Sequence, residues 1–122
     1  MHSGKKLENI NFNYKIWLST KEGQGIMGDG KWQILKAIKE YGSLMAATEA
    51  LGITYRRTWG DLKKIEEQLG FPLLERSRGG QERGGTKLSP EGEKMVSAFE
   101  ELHKKTDAFM EKAFDEFREK FI

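Results

Sequence analysis

The chain has 122 residues, of which 37% are apolar, and this is enough for one domain with a modest core. It contains no cysteine, which excludes a disulfide framework and thiolate metal sites. The two histidines, His2 and His103, are far apart, and no apolar run approaches the roughly eighteen residues of a membrane helix. We therefore expect a soluble, cytoplasmic protein with no metal, no cofactor and no membrane contact.

The net charge of +2 is unevenly distributed along the chain. Residues 29–89 carry eleven Lys and Arg side chains against eight acids, whereas residues 90–122 carry six against nine. One basic cluster would be typical of a solvated face, but two clusters on neighbouring elements favour a polyanionic partner. The clusters are Arg56, Arg57, Lys63 and Lys64, and then Arg76, Arg78, Arg83 and Lys87.

The N-terminal segment predicts a tail followed by a β-hairpin. Residues 1–8 are polar, and we expect them to be disordered. Residues 9–19 alternate between apolar and polar side chains, which predicts a half-buried strand. A glycine-containing turn at 21–25 and the apolar pair at 26–27 would complete the hairpin.

Three helices are predicted next, the first following Asp29 and running to about Tyr41, the second at 44–51 and the third at about 55–69. Gly52 supplies the tight turn between the second and third helices, and Ile53 is expected to enter the core. The residues expected to cap the three helices are Asp29, Ser43 and Thr54. The inward stripe expected on the third helix consists of Thr58, Leu62, Ile65 and Leu69.

A glycine-rich basic loop and a long helix follow. The loop at 77–86 carries four glycines between two extended segments, and it predicts a wing. Ser89 and Pro90 predict the start of a helix that runs to Ile122. Because so long a helix cannot bury its apolar stripe on a small domain, we expect a homodimer, the alternative being that the helix folds back over its own domain. The expected dimerisation residues are Met95, Phe99, Leu102, Phe109, Ala113 and Phe117.

These elements predict a mainly α fold with a small β content (α+β). Residues 9–89 form a winged helix-turn-helix domain with an N-terminal β-hairpin, and residues 90–122 form a long C-terminal dimerisation helix. The short second helix, its glycine turn and the basic start of the third helix together suit a DNA-reading surface.

The third helix carries the residue types that read DNA. Base edges in the major groove are read by donors near the N-terminus of a recognition helix, and an arginine there can bond guanine O6 and N7 together. Trp59 has two interpretations, contact with DNA or packing between the second and third helices, and packing is the favoured one. Tyr55 opens the helix and is expected to face DNA. The candidate DNA-binding residues are Ser43, Thr54, Tyr55, Arg56, Arg57, Trp59, Lys63, Arg78 and Arg83.

The joint pattern resembles the DNA-binding domain of LysR-type regulators, and most closely the N-terminal domain of ModE-type (molybdate-responsive) regulators. The resemblance spans about residues 14–95. It implies a homodimeric transcription factor on a palindromic operator. In ModE-type proteins a molybdate-binding region follows, whereas this sequence ends after the long helix, so molybdate sensing is not expected. The motifs that carry the resemblance are Gly42-Ser43, Leu51-Gly52-Ile53, Thr54-Tyr55-Arg56-Arg57-Thr58-Trp59, Gly79-Gly80, Gly84-Gly85 and Leu88-Ser89-Pro90-Glu91-Gly92.

The leading hypothesis is therefore a sequence-specific DNA-binding transcriptional regulator on double-stranded DNA. One alternative is a protein-interaction module that uses the winged helix as a docking platform, and another is a regulator that responds to an oxyanion or a small ligand. An enzyme is not expected, because the sequence contains no nucleophile–base pair, metal cluster or cofactor loop.

Overall fold

The computed structural model describes residues 7–76 and 85–122, which form four helices and two small antiparallel hairpins. This is the mainly α architecture with a small β content that the sequence predicts. No helix in the described part of the chain is long and apolar enough to cross a membrane. In chain order the elements are β1 (Trp17–Ser19), β2 (Gly25–Gly28), α1 (Asp29–Tyr41), α2 (Leu44–Leu51), α3 (Tyr55–Leu69), β3 (Leu74–Arg76), β4 (Thr86–Leu88) and α4 (Pro90–Glu119).

The N-terminal hairpin is shorter than predicted, because strand β1 covers only the last three residues of the alternating segment 9–19. A strand needs a neighbouring strand to pair with, which an alternating sequence alone does not provide. Because β2 has only four residues, it can pair with only a short strand. The preceding residues lie along α4 instead: the Phe12 ring stacks on Phe114, with centroids 5.4 Å apart. Residues 7–9 form a turn, and the rest of the predicted disordered tail lies outside the described residues.

Glycines and a serine set the helix boundaries. Gly42 and Gly52 adopt left-handed φ values of 89° and 70° and end α1 and α2, as predicted. The Ser43 hydroxyl accepts a hydrogen bond from the Ala46 amide at 3.0 Å, which confirms Ser43 as the cap of α2. Asp29 was predicted to cap α1, but Gly28 is the N-cap residue and Asp29 is the first helical residue. Thr54 is the N-cap residue of α3, as predicted, but its side chain makes no capping hydrogen bond.

The core lies where α1, α2 and α3 meet the wing strands and the first turns of α4. Ala47 is fully buried, and its small side chain permits close contact between helices. Ile53, predicted to enter the core, is 38% exposed, because the α2–α3 turn carries it outward. The core consists of Met27, Trp32, Leu35, Ala37, Ile38, Leu44, Ala47, Leu62, Ile65, Leu73, Leu74, Leu88, Val96 and Phe99.

The start of α4 is fixed against the base of the wing. The Ser89 hydroxyl caps the helix by accepting from the Gly92 amide at 2.9 Å, and it donates to the Pro72 carbonyl oxygen at 2.7 Å. The Ser89 amide donates to the Leu73 carbonyl oxygen at 2.8 Å. Pro90 occupies the first turn, as predicted, and the helix ends at Glu119 rather than at Ile122. Its thirty residues give it a length of about 45 Å.

Candidate nucleic-acid interface

The basic surface of the helix-turn-helix lies at the start of α3. The apolar stripe of this helix buries Thr58, Leu62 and Ile65, and this places Arg56 and Arg57 on the solvent side. Within residues 7–76 and 85–122, neither arginine has an acidic group within salt-bridge distance. Two uncompensated cations therefore stand at the end of the helix where such charges can reach a polyanion.

The two hydroxyl residues of the turn differ in their bonding. The Ser43 oxygen already accepts the Ala46 amide hydrogen, so its hydroxyl hydrogen remains available to donate. Thr54 is exposed and makes no capping bond, so both its donor and its acceptor face solvent. Both residues lie at helix N-termini, where orphan backbone amides also point outward.

Trp59 lies on the surface, contrary to the favoured interpretation that it packs between helices. The side chain is 42% exposed, and the ammonium group of Lys63 lies 5.4 Å from the ring centroid. Lys63 in turn donates to Glu66 Oε1 at 3.2 Å. The exposed face of α3 therefore continues from the arginines to an aromatic ring with a cation above it.

Tyr55 was expected to face DNA, and that contact stays a prediction. The structure shows its side chain half-buried and packed against the core. Its position explains why, because Tyr55, Thr58 and Leu62 follow the spacing of three and four residues that defines the inward stripe.

The structure describes the base of the wing, which consists of two paired strands. Strands β3 and β4 pair in the register Leu74 with Leu88 and Arg76 with Thr86. A cross-strand ion pair joins Lys87 and Glu75 at 3.9 Å on the exposed side. Two candidate DNA contacts, Arg78 and Arg83, lie outside the described residues, as do Gly79, Gly80 and Gly84 of the predicted loop.

Glu66 is a polar residue of this region to which the sequence assigned no role. Its Oε2 atom accepts hydrogen bonds from the backbone amides of Leu73 at 2.7 Å and Leu74 at 2.9 Å. The carboxylate therefore joins α3 to the first residue of the wing strand. A mid-helix glutamate followed by a proline and a short strand gives no direct signal of this contact, because it depends on how the chain turns after α3.

The apolar stripe of α4 divides into two parts. Phe99 is 2% exposed and contacts Trp32, with ring centroids 5.3 Å apart, and Met95 packs partly buried against the same core. Phe99 is therefore a core residue of the single chain rather than a dimerisation residue, because the first turns of α4 pack against the domain. The assignment of the partly buried Met95 to the dimer stays a prediction. Farther along, Leu102, Phe109 and Phe117 are 41%, 68% and 49% exposed, and Ala113 is half-buried.

A second polar cluster centres on His103 of α4. The Nε2 atom lies 2.6 Å from Asp29 of α1, and the Nδ1 atom lies 3.3 Å from Asp107. The ring also stacks on Trp32, with centroids 5.0 Å apart. Tyr14, from the segment before β1, donates its hydroxyl hydrogen to Asp107. The cluster therefore ties the N-terminal segment and α1 to α4.

These contacts shift the pKa of three groups. The hydrogen bond to Asp29, and then that to Asp107, raises the pKa of His103 above its usual value, against the opposing effect of desolvation. The hydrogen bond from Tyr14 lowers the pKa of Asp107, and the same bond raises the pKa of Tyr14 to about 12. The spacing of His103 and Asp107 by one helical turn was visible in the sequence, but the contact with Asp29 was not. In the described part of the chain, no three His, Cys, Asp or Glu side chains are arranged to hold a metal ion.

Comparison with known proteins shows which family this chain is similar to. The family model described as "Bacterial regulatory helix-turn-helix protein, lysR family" matches residues 30–93, more than half of the chain. The chain is 31% identical over 93 residues to the transcriptional regulator ModE of Haemophilus influenzae, covering 75% of this chain and 36% of that protein. It is 33% identical over 73 residues to the molybdenum-pterin-binding protein MopB of Rhodobacter capsulatus, covering 60% of this chain and 27% of that protein. The chain thus spans about a third of the length of these curated relatives.

Solved structures share the fold. The CbnR_DBD–DNA complex aligns with a TM-score of 0.54 at 20% identity, over 70% of this chain and 93% of that chain. The BenM_DBD/benA site 1 DNA complex aligns with a TM-score of 0.51 at 22% identity, over 70% and 94%. The matching family is one of regulators rather than of enzymes, as the sequence predicted. The chain belongs to the lysR family of bacterial regulatory helix-turn-helix proteins and carries a winged helix domain of the ModE N-terminal type.

Proposed function

We propose that this chain is the DNA-binding part of a sequence-specific transcriptional regulator. In this proposal α3 enters the major groove of double-stranded DNA, and the wing at 77–86 follows the flanking backbone. The observation that carries the proposal is the pair Arg56 and Arg57, exposed at the N-terminal end of α3 without an acidic partner among the described residues. In a helix-turn-helix motif, the N-terminal end of the recognition helix, which is α3 here, contacts base edges.

The charges around α3 support this assignment. Asp61 lies 3.9 Å from Lys31 of α1, so its charge is partly compensated within the chain. Glu66 is hydrogen-bonded to two amides and to Lys63, whereas Lys64 is exposed. Two of the three acids of the helix, Asp61 and Glu66, are thus partly offset inside the domain, while the exposed cations are left to attract phosphates.

Known proteins add a second line of support. Two proteins with this fold are seen in complexes with DNA, and the ModE of Haemophilus influenzae, which shares 31% identity, is a transcriptional regulator. The arginine pair explains how this chain would make a similar contact, because one guanidinium can bond two acceptors of a guanine while the other binds a phosphate.

The test is duplex binding as a function of salt. Selection from a random pool gives the preferred duplex, and fluorescence anisotropy then measures its affinity. The logarithm of the binding constant should fall with the logarithm of salt concentration, with a slope of about −0.9 per neutralised phosphate. No binding to any duplex at low salt would contradict the proposal and favour a protein-interaction module instead.

Base reading is tested by Arg56→Ala. We expect this change to weaken binding to the selected duplex by roughly 1–3 kcal/mol and to relax the preference at one base pair. Lys105→Ala removes one charge from α4, distant in sequence from α3, and serves as the control, with little change in either quantity. If Arg56→Ala weakens binding to all duplexes equally, Arg56 contacts phosphate rather than a base.

We further propose that the chain acts as a homodimer on a palindromic operator. Leu102, Phe109 and Phe117 are exposed on one face of α4, beyond the part of the helix that the core covers. Because exposed apolar side chains at helical spacing are stabilised by burial against a partner, a second copy of α4 is the proposed partner. A two-fold dimer would present two copies of α3 and so match a palindrome.

Phe109→Glu tests the dimer. We expect this substitution to yield monomers in sedimentation equilibrium, because it places a charge on the most exposed aromatic residue of that face. The control is Ala108→Glu, which adds the same charge at an exposed position about 100° around the helix. An unchanged dimer in the Phe109→Glu variant would move the interface to another surface.

A further inference from the structure

We propose that Glu66 is a positioning residue that holds the base of the wing, strands β3 and β4, at a fixed angle to the recognition helix. This inference rests on the proposed function. The side chain of Glu66 is 12% exposed, and its Oε2 atom accepts the Leu73 and Leu74 amide hydrogens at 2.7 and 2.9 Å. Leu74 is the first residue of β3. One carboxylate oxygen of α3 therefore fixes the residue from which the wing begins.

The chain between α3 and β3 explains why a carboxylate is needed there. Gly70 ends α3 with a left-handed φ of 86°, and Pro72 has no amide hydrogen. The amides of Leu73 and Leu74 follow immediately, and both residues are buried. Buried amides without an acceptor are costly, and a carboxylate can accept both hydrogen bonds with one oxygen.

The same short segment is held from its other side by α4. The Leu73 carbonyl oxygen accepts the Ser89 amide hydrogen at 2.8 Å, and the Pro72 carbonyl oxygen accepts the Ser89 hydroxyl hydrogen at 2.7 Å. Residues 72–74 are thus fixed between α3 and the start of α4. Loss of the Glu66 contact would leave the segment attached to α4 but free to move relative to α3.

The sign of the charge separates positioning from simple electrostatics. Glu66 is an anion on the helix that would meet the DNA phosphates, so as a charge alone it opposes DNA binding. Its removal should therefore tighten binding if electrostatics dominates. If Glu66 positions the wing, the same removal should weaken binding, because the wing loses its orientation.

The experiment compares Glu66→Gln with Glu67→Gln on the duplex selected above. The glutamine in the first variant would keep the shape and one acceptor but lose the charge that strengthens both amide bonds. We expect Glu66→Gln to weaken binding about fivefold or more. We also expect a salt slope reduced by about one phosphate contact. Glu67 is exposed, and Glu67→Gln, which removes the same charge one residue away, should bind as tightly as the native chain or more tightly.

Two further measurements distinguish a positioning role from a loss of folding or an effect through Lys63. Circular dichroism should show the same helix content in both variants, and affinity is measured at a temperature where both are folded. Glu66→Gln is also made in the Lys63→Ala background, because Glu66 accepts a hydrogen bond from Lys63. A loss of affinity that persists in that background supports the role of the amide contacts. Its disappearance there would overturn the proposal, since Glu66 would then act through Lys63.

The outcomes separate this inference from the proposed function. If the native chain binds no duplex, the proposed function fails and Glu66 has no wing to position on DNA. If the native chain binds and Glu66→Gln tightens binding as Glu67→Gln does, only the positioning role is overturned.

Discussion

His103 has both ring nitrogens next to carboxylates, Asp29 through Nε2 and Asp107 through Nδ1. The imidazolium form can donate to both, whereas a neutral ring can donate to only one. Tyr14 also faces this cluster and donates to Asp107 from the N-terminal segment, and the Glu111 carboxylate acts on Tyr14 from the next turn of α4. The protonated state of His103 is therefore the one that can donate to Asp29 of α1 and to Asp107 of α4 at the same time.

We expect the thermal stability of the protein to fall as the pH rises from the unfolded pKa of histidine through the raised pKa of His103. A group whose pKa is higher in the folded state stabilises the fold fully below its unfolded pKa, about 6.5 for histidine, and this stabilisation is lost as the pH passes the folded value. The measurement is the melting temperature between pH 6 and pH 9 for the native chain and for His103→Gln. An equal decline in the variant would assign the pH dependence to other groups.

Tyr55 and Trp59 show how far single residues of the candidate site could be predicted. Both are aromatic and lie one helical turn apart, yet Tyr55 packs on the core and Trp59 is exposed. The sequence did contain the signal for Tyr55, because it precedes Thr58 and Leu62 at stripe spacing. Trp59 lies at the edge of that stripe, where helix rotation by a few tens of degrees decides between core and solvent, and a sequence pattern does not resolve such an angle.

At the scale of elements, α4 serves two roles along one stripe. Its first third closes the core through Val96 and Phe99, and its later turns expose Leu102 and Phe109. The regular spacing of this stripe predicted that all its positions lie in a dimer interface. The division arises because the small domain covers only the first turns of a helix about 45 Å long.

Phe99→Ala tests the division of the stripe. We expect the free energy of unfolding in urea to fall by about 3–5 kcal/mol, because the change opens a cavity beside Trp32. Sedimentation should show the same assembly as the native chain, in contrast with Phe109→Glu. A loss of less than about 1 kcal/mol, typical of a surface position, would contradict the assignment of Phe99 to the core.

The helices of this domain were predicted closely because glycines and serines mark their ends by local chemistry. Ser43 and Ser89 cap their helices through their own hydroxyls, and Gly42 turns the chain within one residue. Most of the strand predicted at 9–19 did not form, and only Trp17–Ser19 pairs, because strand formation depends on a partner that lies elsewhere in the chain. Here the ring of Phe12 stacks on Phe114 of α4 instead.

At the scale of the whole molecule, Gly92 permits the close contact between α4 and the base of the wing. A Cβ atom at this position would lie 2.3 Å from the Leu73 carbonyl oxygen, well inside contact distance. We therefore expect Gly92→Ala to lower the free energy of unfolding, although Ala is ordinarily better than Gly in a helix by about 0.5–1 kcal/mol.

The control for Gly92→Ala is Gly60→Ala in α3, where nothing lies within 4 Å of the added atom. The free energy of unfolding of that variant should rise by about 0.5–1 kcal/mol, because its only effect is that Ala has a higher helix propensity than Gly. Equal effects of the two substitutions in urea unfolding would mean that α4 can move away from the wing base at little cost.

The junction of wing and α4 also bears on which insertions this chain can accept during evolution. Strands β3 and β4 are paired through to Arg76 and Thr86, so residues added between those two positions leave the paired base unchanged. An added residue between Ser89 and Phe99 would instead shift the phase of α4 by about 100°. Such an insertion would turn Phe109 and Phe117 away from their present direction. We therefore expect homologous proteins to vary in length at the wing tip and not at the start of α4.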